Sequence, residues 1–192
     1  EKGFELSEAS NTPVILELRI RACHVTGSFP AKDNVRPAFG LKDAMEKPRR
    51  ATDRVVLPPS TYAHEKEKIE KRWPAAVAFI ERERLNETFE GDVAGIGIAV
   101  QGGMYNTVTR ALELLGLADA FGATRVPIYV LNVTYPLIDS EWKRFAEGKK
   151  AILMVEEGQP DFIEQAVGAM FRRADIQTAL AGKDVLPMAG EY

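Results

Sequence analysis

The stretch IGIAVQGGMYNTVTRALELL at residues 96–115 decides the fold class. Its apolar beginning, residues 96–100, predicts a buried strand, and two glycines lead from it into a helical pattern over residues 104–115. One apolar stripe recurs at helical spacing there, formed by Val108, Ala111, Leu112 and Leu115. A strand followed at once by such a helix is typical of the first half of a βαβ unit.

The same rhythm continues to the end of the chain. Apolar runs predict further strands at residues 126–131 and 151–155, and amphipathic patterns predict helices at residues 140–145 and 161–172. A short strand at residues 176–180 would complete a sheet of four or five strands. Alternating strands and helices favour right-handed crossovers and a parallel sheet. The predicted fold is therefore α/β, with three αβα layers and a mostly parallel, flavodoxin-like or Rossmann-like sheet.

The first half of the chain is less regular. The run PVILELRI at residues 13–20 predicts a buried strand, preceded by the tail of a helix at residues 4–10. Prolines and glycines fill residues 25–54, which predicts an irregular connection with at most a helical turn at residues 41–46. The chain begins without methionine, inside that helix tail, and an excised piece of a longer protein is expected.

A second helical pattern precedes residue 91. Its expected buried stripe consists of Ile69, Trp73, Val77 and Ile80. Pro74 interrupts the pattern, so we expect a kink or a second helix start there.

Composition excludes several classes of function. The net charge of −3 is nearly balanced, with acidic and basic residues interleaved, so nucleic acid is a poor partner. A single cysteine, Cys23, makes neither an internal disulfide nor a zinc or iron–sulfur site, and fits a reducing cytoplasmic setting. No apolar stretch approaches the roughly 20 residues that span a bilayer, and no signal peptide is recognisable. We therefore expect no metal and no membrane partner.

The glycine turn after the first strand of the repeating part is the best candidate ligand site. Backbone N–H groups at a strand-to-helix turn favour an anion, so Gly102, Gly103, Tyr105 and Asn106 are predicted to bind phosphate. The alternative is that the two glycines only supply unusual backbone dihedrals, because neither a Walker pattern nor a complete dinucleotide fingerprint is present.

A second candidate lies after the strand at residues 151–155, where Glu156 and Glu157 begin a loop. Ligands of open α/β sheets bind outside the carboxyl ends of the strands. The favoured interpretation is structural: Glu157 or Asp161 supports the next helix, and Glu156 pairs across a domain interface. No nearby His, Ser or Lys completes a catalytic arrangement, so no catalytic residue is predicted.

The remaining polar candidates are assigned structural or interface roles. Asn132 and Tyr135 are expected in a loop at the same edge of the sheet. Cys23, His24 and His64 lack a recognisable orienting partner for nucleophilic catalysis.

Six segments resemble the fused-chain bacterial form of indolepyruvate ferredoxin oxidoreductase, within the 2-oxoacid:ferredoxin oxidoreductase family. They are VQGGMYNTVTRALELLGLADAFG (100–122), VPIYVLNVTYPLI (126–138), KKAILMVEEGQPDFIEQA (149–166), KDVLPMAGEY (183–192), PVILELRIRACHVTGSF (13–29) and HEKEKIEKRWPAAVAFI (64–80). The resemblance covers nearly the whole chain.

The resemblance implies a parent enzyme that decarboxylates aryl 2-oxoacids on thiamine diphosphate with Mg²⁺. Such an enzyme passes electrons through 4Fe-4S clusters to ferredoxin, forms an acyl-coenzyme A and is commonly a homodimer. The chain departs from the complete enzyme, because it has no Gly-Asp-Gly type motif with downstream asparagines and no cysteine series. No cofactor is therefore expected in this segment, which is expected to be inactive by itself.

The resemblance also implies a domain order. Residues 1–24 look like the end of the domain that binds the thiamine pyrimidine ring, and residues 25–51 like an irregular linker. Residues 52–180 resemble the transketolase C-terminal domain, and residues 181–192 lead toward the diphosphate-binding domain. The implied role is interdomain assembly with the other domains of the same polypeptide. The alternatives are a coenzyme A phosphate module at Gly102–Gly103 and, more remotely, a flavodoxin-like flavin protein.

Overall fold

The computed structural model describes residues 1–34, 40–46, 48 and 54–188, which form two compact units, Glu1–Ala76 and Val77–Tyr192. The predicted border between linker and domain at residues 51 and 52 lies outside the described residues, as does the end of the predicted tail at residues 189–192. The predicted domain limits stay predictions.

The regular secondary structure in the described part of the first unit is helical. Its helices are α1 (Lys2–Ser10), α2 (Ile20–Cys23), α3 (Leu41–Glu46) and α4 (Ser60–Glu67), followed by a π-helix (Lys68–Arg72) and the first turn of α5 (Trp73–Arg82). Helix α1 ends at Asn11 in the left-handed conformation, with a φ of 52°, which is a common way to end a helix. The helix expected near residues 4–10 and the helical turn at residues 41–46 are both confirmed.

The buried strand predicted at residues 13–20 is wrong. Residues 12–19 have no regular secondary structure, and Ile15, Leu16 and Leu18 are 92%, 64% and 76% exposed. A strand needs a neighbouring strand to satisfy its backbone N–H and C=O groups. The described part of the first unit contains no strand, so this apolar segment has no neighbouring strand to pair with there.

The predicted stripe ahead of residue 91 is also partly wrong. Ile69 and Trp73 are 61% and 39% exposed, whereas Phe79 and Ile80 are buried. The π-helix holds an extra residue in its turn and so rotates the faces that follow it. The expected helix start near Pro74 is confirmed, because α5 begins at Trp73 and proline is tolerated in a first turn.

The second unit is built on a five-stranded sheet. Its strands are β1 (Glu87–Phe89), β2 (Ile96–Gln101), β3 (Ile128–Leu131), β4 (Ala151–Val155) and β5 (Ala179–Ala181), in the order β1-β3-β2-β4-β5. The pairs β3–β2, β2–β4 and β4–β5 are parallel, and only the edge strand β1 is antiparallel to its neighbour. The predicted mixed α/β fold with a mostly parallel sheet is confirmed, while β1 was not predicted.

Helices pack on both faces of this sheet. Helix α6 (Tyr105–Leu114) covers Ile98, Val100, Ile128 and Val130. Helices α7 (Asp139–Ala146) and α8 (Phe162–Arg173) bury Ala99, Tyr129, Leu131, Ile152 and Met154 on the opposite face, together with Trp142 and Val167. Alternate residues of β2 and β3 thus contribute to two separate cores on opposite faces of the sheet, which gives the three predicted layers.

Three helix and strand boundaries differ from the predicted ones. The helix expected from residue 104 begins as a 3₁₀ turn (Gly102–Met104), and the strand expected from residue 126 begins at Ile128. The last strand is Ala179–Ala181, later than the predicted residues 176–180. No helix in the described residues is both long and apolar enough to cross a membrane.

The strand order creates one point where the chain changes direction. From β2 the chain passes through α6 to β3 on one side, whereas from β4 it passes through α8 to β5 on the other. The carboxyl ends of β2 and β4 therefore lie side by side while their following loops diverge. This is the topological switch point at which open α/β sheets leave a crevice.

Candidate functional site

A crevice of about 380 Å³ lies at that switch point. Its walls come from the end of β2, the loop after β3, the loop after β4 and the first turns of α8. The lining residues are Gln101, Thr134, Tyr135, Leu137, Glu156, Glu157, Gly158, Gln159, Pro160, Phe162, Ile163 and Ala166. It is open to solvent, so it is a surface crevice rather than an enclosed cavity.

Glu156 closes the amino end of α8. Its two carboxylate oxygens accept the backbone N–H groups of Ile163 at 2.9 Å and Glu164 at 3.0 Å. A carboxylate is well suited to this place, because the first N–H groups of a helix have no partner inside the helix and carry partial positive charge. The structural role predicted for Glu157 or Asp161 thus belongs to Glu156, and the Asp161 side chain makes no capping hydrogen bond.

Gln101 connects the two strand ends. Its side-chain oxygen Oε1 accepts the backbone N–H of Glu157 at 2.7 Å. Two backbone segments of the crevice are therefore held together by a hydrogen bond across β2 and β4.

The crevice is acidic. Its lining residues include the carboxylates of Glu156 and Glu157 and no Lys, Arg or His. Beside it, the pKa of Glu164 is raised above its ordinary value of 4.5, first by burial and then by the negative charges of Asp161 and Asp184. Negative charge is thus concentrated at this end of the sheet.

The predicted phosphate turn divides into packed and exposed residues. A Cβ on Gly102 would lie 2.5 Å from the side-chain oxygen of Asn132, so the absence of a side chain at Gly102 lets Asn132 approach. Tyr105 is partly buried, with its ring stacked on Phe89 at a centroid distance of 5.1 Å. Gly103 and Asn106 are exposed.

The loop after β3 is held by a buried polar network that was not predicted from the sequence. Tyr129 donates its hydroxyl hydrogen to Glu141 Oε2 at 2.6 Å, and Asn86 Nδ2 donates to the same oxygen at 2.8 Å. The Asn86 oxygen accepts the backbone N–H of Val133 at 2.8 Å. Burial, and next the hydrogen bond to Glu141, raise the pKa of Tyr129. A tyrosine inside an otherwise apolar strand is the available signal, since a buried hydroxyl requires a partner.

Asn132 and Tyr135 lie where they were predicted, after β3 at the same edge of the sheet. The amide of Asn132 donates to the Leu85 carbonyl at 2.9 Å and to Glu87 Oε2 at 2.8 Å. Asn132 thereby ties the segment before β1 to the end of β3.

The remaining candidates belong to the first unit. Cys23 is an exposed free thiol at the end of α2, His24 follows it directly, and His64 lies within α4. Among the described residues no group of three or more His, Cys, Asp or Glu side chains is placed to hold a metal ion.

The second unit is a doubly wound α/β domain with a crevice at its switch point. Residues 86–186, a little over half of the chain, match the family described as the indolepyruvate oxidoreductase domain. The chain belongs to this family.

Known relatives agree with this membership. The chain is 30% identical over 194 residues to the indolepyruvate oxidoreductase subunit IorA of Methanothermobacter thermautotrophicus, and 31% identical over 196 residues to that of Methanothermobacter marburgensis. Each comparison covers 99% of this chain and 29% of the relative, so the chain spans less than a third of these relatives. A solved 2-oxoglutarate:ferredoxin oxidoreductase from Magnetococcus marinus matches 65% of the chain and 20% of its own, with 16% identity and a TM-score of 0.46.

Proposed function

We propose that this chain is an internal domain of a thiamine-diphosphate-dependent oxidoreductase that converts aryl 2-oxoacids to acyl-coenzyme A and reduces ferredoxin. The family membership and the resemblance of the six quoted segments support this proposal. The thiamine diphosphate, its Mg²⁺ and the iron–sulfur clusters belong to other parts of the parent enzyme, and the chain contributes no catalytic residue. Within that enzyme the chain serves interdomain assembly, in a parent that forms a homodimer.

One observation carries the assembly role: part of the α6 face of the sheet remains exposed. Leu153 pairs with Ile98 in neighbouring strands and therefore points to the same face, yet Leu153 is 36% exposed while Ile98 is only 7% exposed. Ile96, two residues before Ile98 on that face, is 44% exposed. Apolar residues of a central strand are ordinarily covered, so this side of β4 is suited to contact another domain.

The exposed apolar segment at residues 14–18 supports the same role in the first unit. Its β-branched and apolar residues favour a strand, and its backbone lacks a neighbouring strand in the described part of that unit. We infer that this exposed apolar segment, in the predicted end of the thiamine pyrimidine-binding domain at residues 1–24, is covered by another part of the same polypeptide.

The proposal is tested in the full-length parent protein. The measured quantity is indolepyruvate-dependent ferredoxin reduction with thiamine diphosphate and coenzyme A present. A Leu153→Lys variant should disrupt the assembly of the parent protein, measured as a lower Tm and a lower activity, because a charge replaces an apolar contact with another domain. Gln165→Lys adds the same charge at an exposed site on α8 and should retain both. Absence of the activity in the unmodified protein would refute the enzyme proposal. Intact assembly and activity of Leu153→Lys would refute the assembly role alone.

A coenzyme A phosphate module at Gly102–Gly103 is the second candidate. The exposure of Gly103 and Asn106 at the start of the ten-residue helix α6 favours it, since backbone N–H groups at such a place attract anions. Calorimetric titration with coenzyme A distinguishes the phosphate module from a purely assembling domain. Saturable heat that a Gly103→Val variant loses would support the module. No heat in the unmodified chain would reject it.

A further inference from the structure

The switch-point crevice has aromatic and apolar walls. Phe162 and Tyr135 are 67% and 77% exposed, although both line the crevice. Leu137, Ile163 and Ala166 supply the apolar part of the lining. A flat aromatic ring can stack on such exposed aromatic side chains and displace water from the apolar surface.

The polar groups of the crevice disfavour an anion. An anion would normally bind the N–H groups at the amino end of α8, but the Glu156 carboxylate already accepts the N–H groups of Ile163 and Glu164. The N–H of Glu157 is likewise taken, by the side-chain oxygen of Gln101. The side-chain oxygens of Glu156 and Gln101 that accept these N–H groups cannot donate a hydrogen bond to an anion. The carboxylates of Glu156 and Glu157 also repel negative charge.

We propose that this crevice binds a neutral or positively charged aromatic molecule, such as an arylalkylamine, between Phe162, Tyr135 and the carboxylates of Glu156 and Glu157. The ring stacks on the aromatic side chains, and the ammonium group lies toward the carboxylates. A cation also gains from the faces of the aromatic rings. This site is distinct from the phosphate turn and is independent of the assembly role, because neither requires a ligand in this crevice.

The test is an NMR titration of the isotopically labelled 192-residue chain with compounds that differ in one property at a time. 2-Phenylethylamine, 2-phenylethanol and phenylacetate compare a cation, a neutral molecule and an anion on the same ring, and 2-cyclohexylethylamine removes the aromatic character. The readout is the saturable shift of the backbone N–H signals of Gly158 and Ala166, two lining residues from different elements. We expect 2-phenylethylamine to bind at least fivefold more tightly than phenylacetate, with 2-phenylethanol between them and the cyclohexyl compound weaker than its aromatic counterpart.

Three variants assign the binding to named side chains. Phe162→Ala should weaken the binding of 2-phenylethylamine and 2-phenylethanol at least fivefold. Phe162 is 67% exposed, so we expect the variant to remain folded. Glu157→Gln should weaken the amine about twofold or more and leave the alcohol unchanged, and added salt should have the same selective effect. Phe121→Ala removes an equally large ring that is 97% exposed and outside the lining, and should change nothing.

Three outcomes would overturn the proposal. The first is the absence of saturable shifts at Gly158 and Ala166 with the amine and with the alcohol. The second is equal or tighter binding of phenylacetate, which would indicate an anion site. The third is binding that Phe162→Ala and Phe121→Ala affect equally, while circular dichroism shows both variants folded.

Discussion

Replacing Tyr129 with phenylalanine tests whether the buried polar network holds the crevice loop in place. Tyr129 as a whole is only 1% exposed. The change removes its hydroxyl and keeps its ring, whose centroid lies 5.1 Å from that of Trp142. The change removes the hydrogen bond that the hydroxyl donates to the Glu141 carboxylate at 2.6 Å and the longer one that it accepts from Asn86 Nδ2 at 3.2 Å. Hydrogen bonds to charged groups contribute about 1.5–3 kcal/mol. Asn86 still donates to the same carboxylate oxygen, so the cost should lie near the middle of this range, at about 2 kcal/mol.

The assay is urea and thermal unfolding followed by the fluorescence of Trp142. A Trp73→Phe background makes Trp142 the sole tryptophan, so the signal reports on the second unit. A loss of about 2 kcal/mol corresponds to a Tm decrease of roughly 4–8 °C for a chain of this length. The matched control is Tyr105→Phe, which keeps the stacking on Phe89 and should change the free energy of unfolding by less than about 0.5 kcal/mol.

A double-mutant cycle with Asn86→Ala decides whether the two residues act together. Both donate to one oxygen of Glu141, so the cycle should give a coupling of about 0.5–3 kcal/mol. If Tyr129→Phe costs no more than Tyr105→Phe, or if the two network changes are additive, the network does not stabilise the loop and the reasoning fails.

Two further predictions concern Gly102 and Glu164. Gly102→Ala should destabilise the chain by about 1–3 kcal/mol, because the new Cβ would lie 2.5 Å from the side-chain oxygen of Asn132, whose amide is held by two hydrogen bonds. The control Gly168→Ala in α8 meets open space and should stabilise the chain by about 0.4–1 kcal/mol. Urea unfolding that ranks the two variants the other way would contradict the close approach of Gly102 and Asn132. The pKa of Glu164 is raised in the folded chain, so the folded state binds its proton more tightly and loses stability as pH rises from about 4.5 through the raised value. Glu164→Gln should therefore raise the Tm at pH 7, with the difference shrinking toward about pH 4, and a Tm gain that is independent of pH would argue against this cause.

The regular part of the fold follows from sequence because its signals are local. The strand at residues 151–155 was predicted with its final bounds, and the helices on either side of it were predicted to within one residue at each end. Their apolar periodicities differ, at two residues for a strand and 3.6 for a helix, and these set the faces that are buried. The three-residue strand β1 carries too few residues for such a signal, and its place at the edge is set by pairing with β3.

The site was harder to predict because it depends on contacts between distant residues. Asn86, Tyr129 and Glu141 are separated by 43 and 12 residues along the chain, and only the sheet brings them together. A carboxylate was predicted to cap α8, but the prediction named Glu157 or Asp161, whereas Glu156 makes the hydrogen bonds. The local sequence shows that carboxylates are near the helix start but not which one points at the N–H groups.

The segment at residues 13–20 is the opposite case: its sequence strongly predicts a strand, and the described structure has no strand there. An apolar β-rich segment predicts a strand only if a second strand is available, and hydrogen-bond partners are a property of the surroundings rather than of the segment. The same applies to four apolar residues that their own units leave partly or largely exposed: Ile15, Leu16, Leu18 and Leu153. Exposure of this kind costs about 25 cal/mol for each Å² left in water, so a domain that keeps it gains stability when another surface covers it. The exposed apolar residues of the segment at 13–20 and of β4 are therefore the residues at which contact with the rest of the polypeptide is expected.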